Sequence, residues 1–318
     1  MKRGVIETLR RGVDNTIANW QLSAIRFGEM VLLTIISILA VIAMVVPILV
    51  SVGIHLADIK GPEDIESAVT SLLSKWVLLL WVLLGITVLL LVFVVIHSFV
   101  EAGCARVLVD GDRNAGPAVA GPRQRYRMFS GERWVSGAKS GWWNIFWIYN
   151  LAWGLGGLIL LIPLIPVLAL VLVFQENPAV AAGVGCVGLV VFMLFAIIVA
   201  VVMGMWTNRA IAQWAADQTG ARATLRVAWR AVKSDLARHL LIALAIFVVA
   251  MAGSSFFASF SMFAAFGESL GRNASFNMIT LPLRLVSSLL SSAFSALIAS
   301  WYLASYSALA VEDVSSRA

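Results

Sequence analysis

Apolar residues recur along this chain at helical spacing on one face, and then the polar face disappears altogether. From Arg222 to His239, Leu225, Trp229, Val232 and Leu236 lead to Leu240 at spacings of four, three, four and four, while Arg222, Arg226, Arg230 and Lys233 hold the opposite side. The pattern predicts a basic amphipathic helix on a membrane surface that turns into the apolar stretch beginning at Leu240. Residues 1–29 repeat the theme: Ile6, Leu9, Val13, Ile17, Trp20 and Ala24 form an apolar line, with Arg3, Glu7, Arg10, Asp14 and Gln21 on the wet side. This segment reads as an anchor at the cytoplasmic surface, or as a surface for a specific lipid or protein. A third helix is predicted where Val135, Ala138, Trp142 and Ile145 keep the spacing, weakened by Gly131, Gly137 and Gly141.

Six stretches are long and apolar enough to cross a hydrocarbon core of about 30 Å as helices: Met30–Ile54, Trp76–Val100, Ile145–Phe174, Ala179–Trp206, Leu240–Phe266 and Leu285–Ala308. None of them contains Asp, Glu, Lys or Arg. Composition agrees, with 61% hydrophobic residues, 13% charged residues and a mean hydropathy of +0.93. The expected fold is an all-α integral membrane domain over residues 1–318.

The net charge of +6 changes the picture through its distribution. Basic residues crowd before the first span, between the second and third, and between the fourth and fifth, whereas the other side has only Lys60, Lys75, Arg272 and Arg284. The bias predicts that both termini are cytoplasmic. A charged segment precedes a first span too long for a secretory signal, so the N-terminus is expected to be retained. The absence of a targeting sequence and the compact loops point to a bacterial inner membrane.

Arg123, Arg125, Arg127, Arg133 and Lys139 alternate with Tyr126, Phe129, Trp134, Trp142 and Trp143. Basic–aromatic interleaving can signal nucleic-acid binding. Here headgroup contact and an aromatic belt explain it better, and no nucleic-acid partner is expected. The candidate contacts for anionic lipid or a membrane-protein partner are Arg10, Arg11, Arg123, Arg125, Arg127, Arg133, Lys139, Arg222, Arg226, Arg230 and Lys233. Trp20, Trp134, Trp142, Trp143 and Trp229 are the candidate interfacial anchors.

Other features have a packing reading beside a functional one. Asp58, Glu63, Asp64 and Glu66 belong to a short polar loop broken at Gly61-Pro62, and Gly111 to Pro122 reads as another loop. His97 and Glu101 share a helix face, as a structural pair or as a ligand or proton relay. Glycines in the third and fourth spans suit close helix packing, and the many serines of the fifth and sixth suit interhelical bonds or a polar cavity. Cys104 and Cys186 read as packing residues, and Asn273-Ala274-Ser275 matches a glycosylation sequon.

Ala105, Ala212 and Ala308 each stand five residues before an aspartate, at Asp110, Asp217 and Asp313. The layout predicts three parallel units, 1–110, 111–217 and 218–318, each a surface helix followed by a helical hairpin, related about an axis along the membrane normal. The Thr224-Leu225-Arg226-Val227-Ala228-Trp229 opening and the Leu-rich span after it resemble a group of bacterial multi-pass families. That group includes the membrane domain fused to some glycerophosphoryl diester phosphodiesterases. The resemblance extends in outline over the whole chain and implies a lipid-adjacent role, without site residues to carry over.

An enzyme is not expected, because His55, His97 and His239 lie at separate helix ends and no nucleophile with a positioned base is visible. No metal or other cofactor is expected either. Spans without ionisable residues argue against ion-coupled transport, leaving a permease subunit, passive pore or lipid conduit through the Ser-rich bundle as the alternative. The favoured expectation is a noncatalytic scaffold or accessory subunit whose basic helices contact anionic lipid or a partner.

Overall fold

The computed structural model describes residues 3–52, 76–116, 123–174, 176–270 and 274–316. The polar loop with Asp58 to Glu66, His55, the second half of the Gly–Pro segment and Asn273 of the sequon lie outside the described residues.

Eight α-helices are present among the described residues: α1 (Val5–Ala18), α2 (Gln21–Val52), α3 (Trp76–Ala115), α4 (Gly131–Val173), α5 (Pro178–Asp217), α6 (Ala221–Ser234), α7 (Leu236–Leu270) and α8 (Ala274–Ser315). A 3₁₀ turn, Arg123–Tyr126, precedes α4. Six helices, all but α1 and α6, are long and apolar enough to cross a membrane, so the chain is an all-helical, multi-pass membrane protein.

These helices outrun the apolar stretches. The 40 residues of α3 measure about 60 Å at 1.5 Å per residue, roughly twice a hydrocarbon core. Residues 111–115, expected to begin a loop, are the last turn of α3. Two of the expected surface helices end sharply: α1 breaks at Asn19 and Trp20, and α6 at Asp235. The third does not end at all, because α4 is continuous from Gly131 into its apolar stretch.

Contacts divide the chain into two compact units. The smaller, Phe27–His97, is a pair of apolar helix segments in which Gly85 lies under Met44, where a Cβ would come within 2.4 Å of the sulfur. At its end His97 Nδ1 meets Glu29 Oε1 at 2.6 Å.

The larger unit comprises residues 1–26 and 98–318. Its core lies beyond the most apolar windows, which are almost entirely exposed. Val107, Leu108, Ile145, Ile148, Ile211, Trp214, Tyr306 and Leu309 are buried at one end, called here the polar end. There Trp214 fills the space over Gly141, where a Cβ would sit 1.9 Å from the indole. Arg106 and Arg113 of α3 donate to the carbonyls of Ala215 and Ala216, capping the last turn of α5. Each of α3, α5 and α8 receives a helix at this end: Trp134 of α4 against Gly103 of α3, Leu225 of α6 beside Trp206 of α5, and Gly12 of α1 against Ser305 of α8. Ala105, Ala212 and Ala308, the alanines of the three Ala–Asp pairs, are all fully buried.

Away from the polar end, α4 and α5 pack through small residues: a Cβ on Gly188 would fall 2.5 Å from Val167, while Gly154, Gly157 and Gly183 face open space. Serines of α8 bond in two ways. Ser300, Ser305 and Ser307 donate to the carbonyls of Ala296, Trp301 and Leu303 one turn back in their own helix, and Ser287 reaches across to Phe257. Cys104 is buried as a packing residue, whereas Cys186 is exposed.

Candidate lipid-contact site

Two short helices at the polar end carry the predicted cations, and the fold treats them oppositely. Helix α1 turns a polar face inward. Thr8, Arg11, Asn15, Thr16 and Asn19 are buried, while Ile6 and Trp20 are 83% and 61% exposed. Arg11 is therefore a correction: expected on the wet surface, it is only 2% exposed. Its Nε donates to Asp112 at 2.8 Å, and its NH2 group reaches the carbonyls of Asp112 and Gly116. Arg3 donates to the other oxygen of Asp112 at 3.0 Å and to the carbonyl of Ala308. The reason for the inversion is that the ends of α3 and α8 offer carboxylates and free carbonyls, which only a polar face can satisfy.

The same face binds the chain before α4. Asn19 donates to the Tyr126 carbonyl at 2.8 Å and accepts from the Met128 and Phe129 amides at 2.9 Å each. Asn15 donates to the Leu108 carbonyl at 2.7 Å. The guanidinium of Arg11 lies 5.5 Å from the Tyr126 ring centroid. Burial pushes the Tyr126 phenol above its usual value, with the nearby Arg11 opposing the shift.

Helix α6 turns its cations outward. Thr224, Leu225, Ala228 and Val232 are buried against the bundle, while Arg222, Arg226, Arg230 and Lys233 are exposed. Among the described residues none of these four cations enters an ion pair. Trp229, 41% exposed, lies with its ring centroid 5.4 Å from that of Trp206, whose indole nitrogen donates to the Leu225 carbonyl at 2.8 Å. The start of α6 is held by the Ala221 amide donating to Asn144 at 3.2 Å.

The remaining candidates are scattered. Arg10 and Arg123 are exposed and share Asp14, at 3.9 and 2.7 Å. Arg125, Arg127 and Lys139 are exposed, and Arg133 is half-buried with a bond to the Met128 carbonyl at 3.0 Å. Trp134 is half-buried, edge-on to Phe99 at 5.7 Å and over Gly103. Trp142 is half-buried, and Trp143 is exposed and stacked on Phe146 at 5.3 Å.

Several charged partnerships at this end escaped the pattern analysis. Arg26 forms a two-pronged pair with Glu101 at 2.5 and 2.7 Å, Arg209 pairs with Asp313, and Arg238 donates to Glu312 at 2.7 Å. His97 and Glu101 each meet a residue of α2, Glu29 and Arg26 respectively. The one available signal was that Arg26 and Glu29, like His97 and Glu101, sit within a turn or so of an apolar stretch.

Compared with protein-family models, curated proteins and solved structures, the chain finds no match.

Proposed function

We propose that this protein is a noncatalytic multi-pass scaffold or accessory subunit of a bacterial inner membrane, which gathers anionic lipid at a cytoplasmic polar end through α6. The observation that carries the reading is the contrast in ion pairing: Arg3, Arg11, Arg26, Arg209 and Arg238 are consumed inside the fold, while all four α6 cations remain exposed and outside any ion pair among the described residues. A row of cations beside an exposed Trp suits a headgroup layer, each charge contributing about 1 kcal/mol near an anionic surface. A threefold repeat of units 1–110, 111–217 and 218–318 is part of the proposal, supported by the helix received at the end of each of α3, α5 and α8. The resemblance to the phosphodiesterase-associated membrane domains points the same lipid-adjacent way.

Transport through the Ser-rich helices is the second reading. It is disfavoured by Ser300, Ser305 and Ser307, whose hydroxyl protons are given to carbonyls of their own helix and not to a solute.

The test is to replace Arg222, Arg226, Arg230 and Lys233 together by Gln and measure binding to liposomes of phosphatidylglycerol and phosphatidylcholine across a salt series. Weaker binding with a flatter salt dependence is expected. Unchanged binding overturns the proposal. Native mass spectrometry of the protein in patches of its own membrane separates the two forms of the proposal: a stoichiometric second protein marks an accessory subunit.

A further inference from the structure

We infer that a groove between α5, α7 and α8 holds one acyl chain of an anionic phospholipid from the leaflet at the polar end, with its headgroup against α6. The headgroup half rests on the proposed function; the groove stands on separate observations.

The groove has a volume of about 580 Å³ and is floored by small residues, Ala200 and Gly204 on α5, Ala243 and Ala250 on α7, and Ala299 on α8. Along α7 its lining runs from Leu240 to Ser254, about 21 Å of helix. That length exceeds one leaflet's share, about 15 Å, of a hydrocarbon core. Leu, Ile, Val, Phe and Ala side chains make up most of that lining, the surface against which an extended hydrocarbon chain packs.

The two ends differ in chemistry. At the far end the Phe294 ring lies against Gly253, where a Cβ would come within 2.2 Å, and beside Phe257 at 5.7 Å. At the near end stands Tyr302, 5.0 Å from Tyr306. Gly204 is two residues from Trp206, which packs on Trp229, and only Asp235 separates α6 from α7. The apolar slot thus opens within a few turns of the four exposed cations, where a phospholipid carries its charge relative to its chains. Ser254, Ser295 and Tyr302 supply the only hydroxyls of the lining, so an ion or polar solute gains little there.

The full chain would be reconstituted into bilayers of phosphatidylcholine with a minor fraction of phosphatidylglycerol bearing a photoreactive diazirine on one acyl chain, and the labelled peptides mapped. Expected is label on residues 240–254 and 294–302 at ten or more times the yield on residues 30–46 of α2, whose apolar side chains are just as open to lipid. Equal yield on the two regions overturns the inference. Gly204 lines the slot and a Cβ there meets nothing within 4 Å, so Gly204→Leu adds side-chain volume at the wall of the slot. It should cut groove labelling at least tenfold while leaving α2 labelling and Tm unchanged; undiminished labelling of a variant with unchanged Tm again overturns the inference. Moving the diazirine to phosphatidylcholine separates the two claims. Groove labelling that ignores the headgroup overturns the α6 assignment and leaves the chain in its slot, whereas a headgroup preference lost in the four-Gln variant without groove labelling does the reverse.

Discussion

Helices α1 and α6 are both 14 residues long, both carry basic residues and both show apolar residues at helical spacing, yet the fold buries the polar side of one and the apolar side of the other. Their neighbours decide which. Helix α1 lies along the flank of α8, where the Trp301 indole donates to the Leu9 carbonyl at 3.0 Å, and its polar face also meets Asp112 and the carbonyls of Leu108 and Gly116 at the end of α3. Helix α6 lies along the flank of α5, which offers Trp206 and whose one carboxylate, Asp217, accepts from Gln213 of its own helix. A flank alone leaves the cations of an amphipathic helix outside; the added carboxylate and carbonyls at the end of α3 draw the polar face of α1 in.

The comparison can be broken by mutation, and the largest effect is expected at Arg11. Arg11→Met leaves the Asp112 carboxylate in a buried site with Arg3 alone, and should cost about 3–5 kcal/mol, seen as a large fall in Tm. Adding Asp112→Leu should recover part of the loss, because the stranded charge is then removed; a double variant as weak as the single one would sink the ion-pair explanation. Next is Asn19→Ala, which strands the Met128 and Phe129 amides and the Tyr126 carbonyl, for about 2–3 kcal/mol in the same assay. Gly141→Val forces Trp214 off its seat and should cost about 1–3 kcal/mol, reporting on the polar-end core apart from α1.

A smaller effect is expected with pH. Since burial raises the Tyr126 pKa above the unfolded value of 10.0, its contribution to stability is complete below pH 10 and is lost as pH rises through the folded pKa. Tyr126→Phe should therefore flatten the alkaline fall in Tm between pH 9 and pH 11, on the order of one unit either side of the ordinary tyrosine value. The smallest change in stability belongs to the four-Gln variant of α6, within about 0.5 kcal/mol of wild type, because exposed cations outside ion pairs hold nothing together. A substantial loss of Tm there would place α6 in the same class as α1 and erase the distinction.

What the amino-acid sequence determined by itself is the set of long apolar helices. Six apolar stretches are helical, since a helix satisfies its backbone groups within its own segment, and in α6 the periodicity picks out Leu225 and Val232, which are buried, together with Trp229, which is exposed. Periodicity also found α1, but it assigned the faces as though lipid and water were the only choices. The tertiary structure added a third environment, a protein interior lined by carboxylates and carbonyls, and so decided that Arg11 belongs inside, that Glu101 answers Arg26 and His97 answers Glu29, and that Ser300, Ser305 and Ser307 turn back on their own helix. It also placed Ala200, Gly204, Ala243, Ala250 and Ala299 along one slot, although they lie on three helices and share no motif. The physical reason is common to all of these. Apolar burial is read from local spacing, whereas a buried charge or a void depends on which groups from distant parts of the chain come within a few ångströms of it.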